Sequence, residues 1–253
     1  MNIQSEINKK AWEYRAYEFW NNQSSPNDLA AKIAKDPKAR LRYHQKYFED
    51  VHGFKIANPC GSNGRIAVPL ALLGADVIVF DISEENKRYA IELGQCAGVS
   101  INYEVGDFYD IQINKYIDYF DIAYLEGGIL HYFSDINKFM QILHSIIKLN
   151  GKLILSDFHP FRKIISVGKI GENAKSTQGN YFDEEAHIGN VAYKSFFPID
   201  EQKSFPDCEL RFFTLSEIIN AVIKSGFTLK EFNEHPNWDD KKIPGEFTIY
   251  AIK

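Results

Sequence analysis

The segment spanning residues 55–83, from Lys55 to Ser83, constrains the fold more than any other part of the chain. Ile56 and Ala57 belong to a short apolar run of the buried-strand type, and the polar, glycine-containing stretch Asn58 to Gly64 must then turn. Ile66, Ala67, Leu70, Ala71 and Leu73 recur at helical spacing, Gly74 is a stop signal, and Val77 to Phe80 is a second β-rich run ending at Asp81. The product is a β-loop-α-β unit. Its glycine loop and helix N-terminus lie beside the carboxyl end of the first strand, where free backbone N–H groups can meet an anion. Asp81, ending the next strand, is placed to accept hydrogen bonds from a ribose diol. A nucleoside-containing ligand fits this pattern. The plainer alternative is a crossover whose glycines permit a tight turn and whose aspartate caps the next helix.

The same alternation continues downstream. Ser83 caps a helix that opens with Glu84 and Glu85 and runs to about Ala97, and Ile101 to Val105 is a strand leading to Gly106-Asp107-Phe108. Tyr119 to Leu125 is a fourth strand that empties into Glu126-Gly127-Gly128, with His131 just beyond. Asp135 to Leu149 reads as a helix, with Asn150-Gly151 as its left-handed stop, and Lys152 to Ser156 is a fifth strand leading to Asp157-Phe158-His159. Thr214 to Ser225 is a capped helix. Phe227 to Phe232 and Phe247 to Ile252 close the chain as an antiparallel pair.

Right-handed crossovers bring the carboxyl ends of parallel strands to one side, so Glu126 and Gly127 open beside the glycine loop. The expected fold is α/β: a doubly wound, mostly parallel seven-stranded sheet with an antiparallel edge hairpin. Residues 1–50 form an N-terminal helical extension, read as one helix over 5–20 and two more over 28–34 and 37–50. Residues 51–253 form the main domain, with a lid insertion over about 162–212, too long for a plain crossover. Within it, alternation around Asn190 to Phe197 and Cys208 to Phe213 suggests a paired hairpin.

With these motifs, the Gly61 to Arg65 loop, Gly74-Ala75-Asp76-Val77, Asp81-Ile82-Ser83, Gly106-Asp107-Phe108 and Leu149 to Leu155, residues 50–253 resemble the class I, Rossmann-like methyltransferases that use S-adenosylmethionine. The resemblance implies S-adenosylmethionine as methyl donor, S-adenosylhomocysteine as product, and an O, N or S nucleophile of a small molecule as acceptor. It places Asn58, Cys60, Gly61 and Gly64 in the loop against the donor, Asp81 and Ile82 at the ribose, Asp107 and Phe108 at the adenine, and Glu126 and Gly127 facing the donor. The family's first motif has an acid at the strand end and glycines at alternate positions. Here an ungapped match gives Asn58, Cys60 and Ser62 and keeps Gly64, while Gly61 could serve with a one-residue shift.

In small-molecule members the N-terminal helices cover the pocket, so Trp12, Tyr14 and His44, with Tyr181 from the insertion, are pocket candidates. The alternative for these residues is simple docking of helices. His131 and His159 are candidate bases beside the methyl group, and each could equally be structural.

Composition narrows the remaining classes. A net charge of −5 without a long basic run argues against nucleic acid. Three widely spaced cysteines suggest neither a disulfide framework nor a zinc site and suit a reducing cytoplasm. Glu184, Glu185 and His187 lack distant partners for a metal, so none is expected. No apolar run is long enough to span a membrane, and the polar N-terminus has no secretory pattern. A homodimer is compatible with the sequence. Two competing functions stay open: a noncatalytic nucleoside-binding or assembly module, and a nicotinamide-dependent oxidoreductase, which would want a denser glycine fingerprint.

Overall fold

The computed structural model describes residues 2–164 and 179–253. Three helices open the chain: α1 (Ile3–Glu13), α2 (Ala16–Gln23) and α3 (Pro26–Lys35). The single helix expected over 5–20 is broken between Tyr14 and Ala16, where Arg15 takes a left-handed backbone (φ 56). Tyr193 fixes the break by donating its hydroxyl to the Tyr14 carbonyl at 2.9 Å. The second leader helix matches, but Pro37–Tyr47 is two 3-10 turns joined at Arg42, whose φ of 50 and ψ of −130 interrupt any helix.

The core then alternates strand and helix: β1 (Lys55–Pro59), α4 (Ala67–Leu72), β2 (Asp76–Asp81), α5 (Glu84–Cys96), β3 (Asn102–Val105), the short α6 (Ile113–Tyr116), β4 (Phe120–Glu126), α7 (Ile136–Ile146) and β5 (Ile147–Phe158). After the insertion, with its hairpin β6 (Ala186–Gly189) and β7 (Cys208–Arg211), come α8 (Leu215–Lys224), β8 (Thr228–Pro236) and β9 (Pro244–Ile252). The seven-stranded sheet runs β3-β2-β1-β4-β5-β9-β8, parallel through β5, with β9 antiparallel to both neighbours.

Period-two side-chain alternation divides the core into two layers. Ala57, Ile78, Phe80, Ala123, Leu125, Leu153 and Leu155 face α7 and α8, while Ile56, Val77, Val79, Ile122, Tyr124 and Ile154 face α3, α4 and α5. Both faces of the central strands are covered, which is why they read as continuous apolar runs.

Several boundaries differ from the sequence reading. The helix expected to reach Leu149 stops at Ile146, because Ile147 already pairs with Phe120 of β4. Asn150 is left-handed as expected (φ 64), but inside a register shift of β5 rather than at a helix end. The first arm of the insertion hairpin is Ala186–Gly189, paired with β7, rather than 190–197; that segment instead carries the 3-10 turn Lys194–Phe196. Residues 165–178 of the expected lid lie outside the described residues. The final strands are longer than expected and leave a tight connection, in which the Asn237 amide donates to the Ile243 carbonyl at 2.9 Å.

The leader and the insertion meet in one aromatic cluster. Ala11, Ala16 and Phe19 bury against Val191, Tyr193, Phe197 and Phe205, and the Phe19 and Tyr193 rings stack at 4.9 Å. Asn8 stitches α1 to β7 by exchanging two 2.9 Å bonds with the backbone of Glu209. These contacts place a roof over the carboxyl edge of the sheet.

Candidate active site

Under that roof lies a cavity of about 520 Å3, walled below by the ends of β1, β2 and β4. Its floor is the Asn58–Gly64 loop. Cys60 (φ 54), Ser62 (φ 48) and Gly64 (φ 76) are all left-handed, so the alternate positions that the family fills with glycine keep a glycine-like backbone. Such a backbone costs a side-chain-bearing residue about 1–2 kcal/mol, and the surroundings hold it. The Cys60 amide donates to the Phe80 carbonyl at 2.6 Å, and the Ser62 amide to Asp81 Oδ2 at 3.0 Å. The left-handed residues thus fall at the positions of the ungapped match.

Gly61 and Gly64 serve packing. A Cβ on Gly64 would lie 2.8 Å from Ala90 Cβ of α5, and Gly64 does not line the cavity. A Cβ on Gly61 would lie 2.2 Å from Asn58 Oδ1 and 2.8 Å from Val79 Cγ1. Asn58 is itself fixed, since its Nδ2 donates to the Tyr124 carbonyl at 2.9 Å. Gly61→Ala is accordingly expected to destabilise the protein by about 1–3 kcal/mol through overpacking. Thermal melts of the variant check this, and an unchanged melt would mean that the loop yields freely.

Asp81 is the organising acid. Its Oδ2 takes the Ser62 amide, and its Oδ1 takes the Ser83 amide at 3.1 Å and Asn86 Nδ2 at 3.2 Å. Burial pushes its carboxyl above the ordinary range, while the donors from Asn86, Ser83 and Ser62 pull the other way. At the end of β3, Asp107 Oδ1 accepts from the Tyr109 amide at 2.9 Å, while its Oδ2 is buried without a partner. Asn58 Oδ1 and Ser62 Oγ are likewise buried and unpaired. Unpaired buried polar atoms are costly, and these three belong to cavity-lining residues. Burial, followed by Asp81, Asp107 and Asp157, drives the Cys60 thiol well above the usual range.

Glu126 closes the far end of β4. Burial raises its carboxyl, but hydrogen bonding with His44 and Tyr124 outweighs this and leaves it below the ordinary range. Arg42 Nη1 lies 3.8 Å from Glu126 Oε1, and Arg42 Nη2 lies 3.4 Å from Glu246 Oε2, which also accepts the Tyr43 hydroxyl at 2.7 Å.

Of the residues singled out in the sequence, Asn58, Cys60, Gly61, Asp81, Ile82, Asp107, Phe108, Glu126, Gly127 and Trp12 line this cavity together. Tyr14 does not line it; its hydroxyl donates to Ser204 Oγ at 2.9 Å inside the roof. His44 is fully buried one layer behind Glu126, with Nδ1 2.8 Å from the Tyr124 hydroxyl and Nε2 2.9 Å from Thr248 Oγ1. Tyr181 anchors the insertion by accepting the Leu215 amide at 2.9 Å. His131 and His159 line a separate pocket of about 230 Å3 instead of the space beside the donor loop. The sequence reading missed Arg42, Glu246, Tyr132 and Arg65. A kink without glycine or proline gives Arg42 no local signal, Glu246 and Tyr132 join the site through tertiary packing, and Arg65 ends the Gly61 to Arg65 loop without having been singled out as a site residue.

Asp157 lines the smaller pocket. Burial raises its carboxyl to about 6, against the amides of Leu130, Ile129 and Phe158. Because the folded value lies above the ordinary 3.8, Asp157 contributes most below that value and loses its contribution as pH rises through about 6. The Tm advantage of wild type over Asp157→Asn is therefore expected to grow on acidification from about pH 7 to about pH 4. A difference flat across that range would refute the burial effect.

Residues 59–155 match the sequence profile of a methyltransferase domain. The ubiquinone biosynthesis O-methyltransferase of Rickettsia prowazekii (strain Madrid E) is 27% identical over 173 residues, a match covering 66% of each chain, so it spans just under two thirds of that relative. The S-adenosylmethionine dependent methyltransferase of Mesorhizobium loti superposes with a TM-score of 0.64 at 21% identity, over 85% of this chain and 98% of that one. Magnesium protoporphyrin IX methyltransferase from Synechocystis PCC 6803, solved with bound S-adenosylmethionine, gives 0.61 at 12% identity over 100% and 98%. The sheet order, the left-handed loop and the profile match agree: residues 59–155 are a methyltransferase domain, carried on the class I fold of the S-adenosylmethionine-dependent enzymes.

Proposed function

We propose that the protein transfers the methyl group of S-adenosylmethionine to an oxygen, nitrogen or sulfur nucleophile of a small molecule. The observation that carries this reading is the set of unpaired buried acceptors, Asn58 Oδ1, Ser62 Oγ and Asp107 Oδ2, belonging to residues that line one roofed cavity with Asp81. In this reading Asp107 takes the adenine amino group, Asp81 the ribose hydroxyls and Asn58 the methionyl ammonium. When bound, the sulfonium supplies an electrophilic methyl carbon and leaves as a neutral thioether.

The protein's own task is to hold an acceptor in line and keep water out. Trp12, Tyr132 and Phe158 offer flat apolar walls for it. Glu126, kept ionised, is the base on the cavity wall that takes the acceptor's proton as the new bond to carbon forms. The O-methylation performed by the curated relative favours a hydroxyl acceptor. The fold, the acceptor reading and the reducing location expected from the cysteines fit an enzyme of the cytoplasm. Among the described residues no helix is long and apolar enough to cross a membrane.

Titration calorimetry with S-adenosylmethionine, S-adenosylhomocysteine and NADH tests the proposal. Binding of both adenosyl ligands without NADH supports it. NADH binding in their place would favour the oxidoreductase reading. Adenosyl binding with no methylated product from any of a broad panel of phenols, amines and thiols would leave a noncatalytic module.

A further inference from the structure

The smaller pocket has an unusual charge pattern. It lies across Phe158 from the main cavity and is lined by His131, Asp157, His159, Arg162 and Lys163 together with the apolar Leu130, Pro160, Phe212, Phe213 and Ile218. Phe158 belongs to both walls. Its ring packs on the bare Cα of Gly128, where a Cβ would come within 2.5 Å.

Two cations stand here without carboxylate partners at ion-pair distance among the described residues. The Arg162 guanidinium lies 4.2 Å from the Phe158 ring centroid and 4.9 Å from that of Trp238, and its Nη1 is buried with no acceptor. The Lys163 ammonium lies 3.5 Å from the centroid of Phe212. Glu246, Asp239 and Asp157 act on Arg162, and Asp157, Glu217 and Asp183 on Lys163, none of them at ion-pair distance among the described residues. Asp157 Oδ2 takes the amides of Ile129 (2.9 Å) and Leu130 (2.7 Å), and its Oδ1 takes that of Phe158 at 2.6 Å. Glu234 Oε1 lies 3.1 Å from His159 Nε2.

The excess positive charge is felt by its neighbours. Burial, then Lys163 and Arg162, push His131 down to about 3, and burial lowers Lys163 itself to about 7. A desolvated guanidinium and ammonium lining one pocket are stabilised by an anion, which each can meet with a charge-assisted hydrogen bond.

We infer that Arg162 and Lys163 form an anion subsite for the methyl acceptor, which carries a carboxylate or phosphate group beyond Phe158 while its nucleophile sits in the main cavity. The inference rests on the methyl-transfer reading for the identity of the occupant, and its charge preference is measurable apart from turnover. Arg162 and Lys163 act here as specificity residues. Phe158 and Trp238, which already stack against Arg162, provide faces for an aromatic or otherwise flat linker between the two ends.

Calorimetry on the protein saturated with S-adenosylhomocysteine provides the test, with benzoate, phenyl phosphate and neutral benzyl alcohol as probes. At least one anion is expected to bind about tenfold or more tighter than benzyl alcohol, and the preferred one identifies carboxylate or phosphate. The double variant Arg162→Gln, Lys163→Gln is expected to lose that preference while binding S-adenosylhomocysteine as wild type does, which also reports that it is folded. Equal or absent binding of both anions, or a preference that survives in the variant, overturns the subsite. Loss of S-adenosylhomocysteine binding by wild type would instead defeat the donor reading.

Discussion

Asp81→Ala is expected to weaken S-adenosylhomocysteine binding by about 1.5–3 kcal/mol, the range for hydrogen bonds to a charged group, or about 10- to 150-fold in Kd. Two effects add. On the proposed reading the ribose loses its acceptor; the Ser62 and Ser83 amides with Asn86 Nδ2 lose theirs as well, so the left-handed loop is no longer held against β2. Asp81→Asn retains one oxygen and should fall between. Calorimetry on the three proteins checks the order, and wild-type affinity in the alanine variant would remove Asp81 from the binding site.

Phe139→Ala should give the largest loss of stability, about 3–5 kcal/mol, or a fall of about 6–20 °C in Tm for a chain of this size. Phe139 is fully buried on α7, with ring centroids 4.4 Å from Phe133 and 5.2 Å from Phe108. Phe108 and Phe133 also line the cavity, so the same hole loosens that wall of it. Differential scanning calorimetry with and without S-adenosylhomocysteine measures both consequences. A melt within about 1 kcal/mol of wild type would mean that α7 collapses onto the sheet and fills the gap.

The parallel half of this fold was legible because its signals are local. Ser83, Thr214 and Gly226 punctuate helices in the sequence as they do in space, and Val77 to Phe80 needs no distant partner to read as a buried strand. The strand-end carboxylates Asp81 and Asp107 were legible for the same reason. Failures fell where packing overrides local preference. Arg42 lies in a helix-compatible run but adopts a backbone no residue there advertises, and Ile147 leaves its helix to pair with β4. His131 and His159 follow the right strands in sequence, yet the bulk of Phe158 stands between their pocket and the donor loop. That separation follows from side-chain size and direction, which strand order does not encode.

The link from Trp20 through Asn86 to Asp81 has a further consequence. Trp20 Nε1 donates to Asn86 Oδ1 at 2.8 Å, and Asn86 Nδ2 donates to Asp81 Oδ1 at 3.2 Å. Helix α2 is thus tethered to the carboxylate assigned to the ribose. Thermodynamic reciprocity requires that if closing this tether strengthens nucleoside binding, occupancy must strengthen the tether by the same factor. Backbone amides of residues 16–23 should then exchange with deuterium more slowly when S-adenosylhomocysteine is bound, and product departure should be paced by the opening of this segment as well as by the ligand's own contacts.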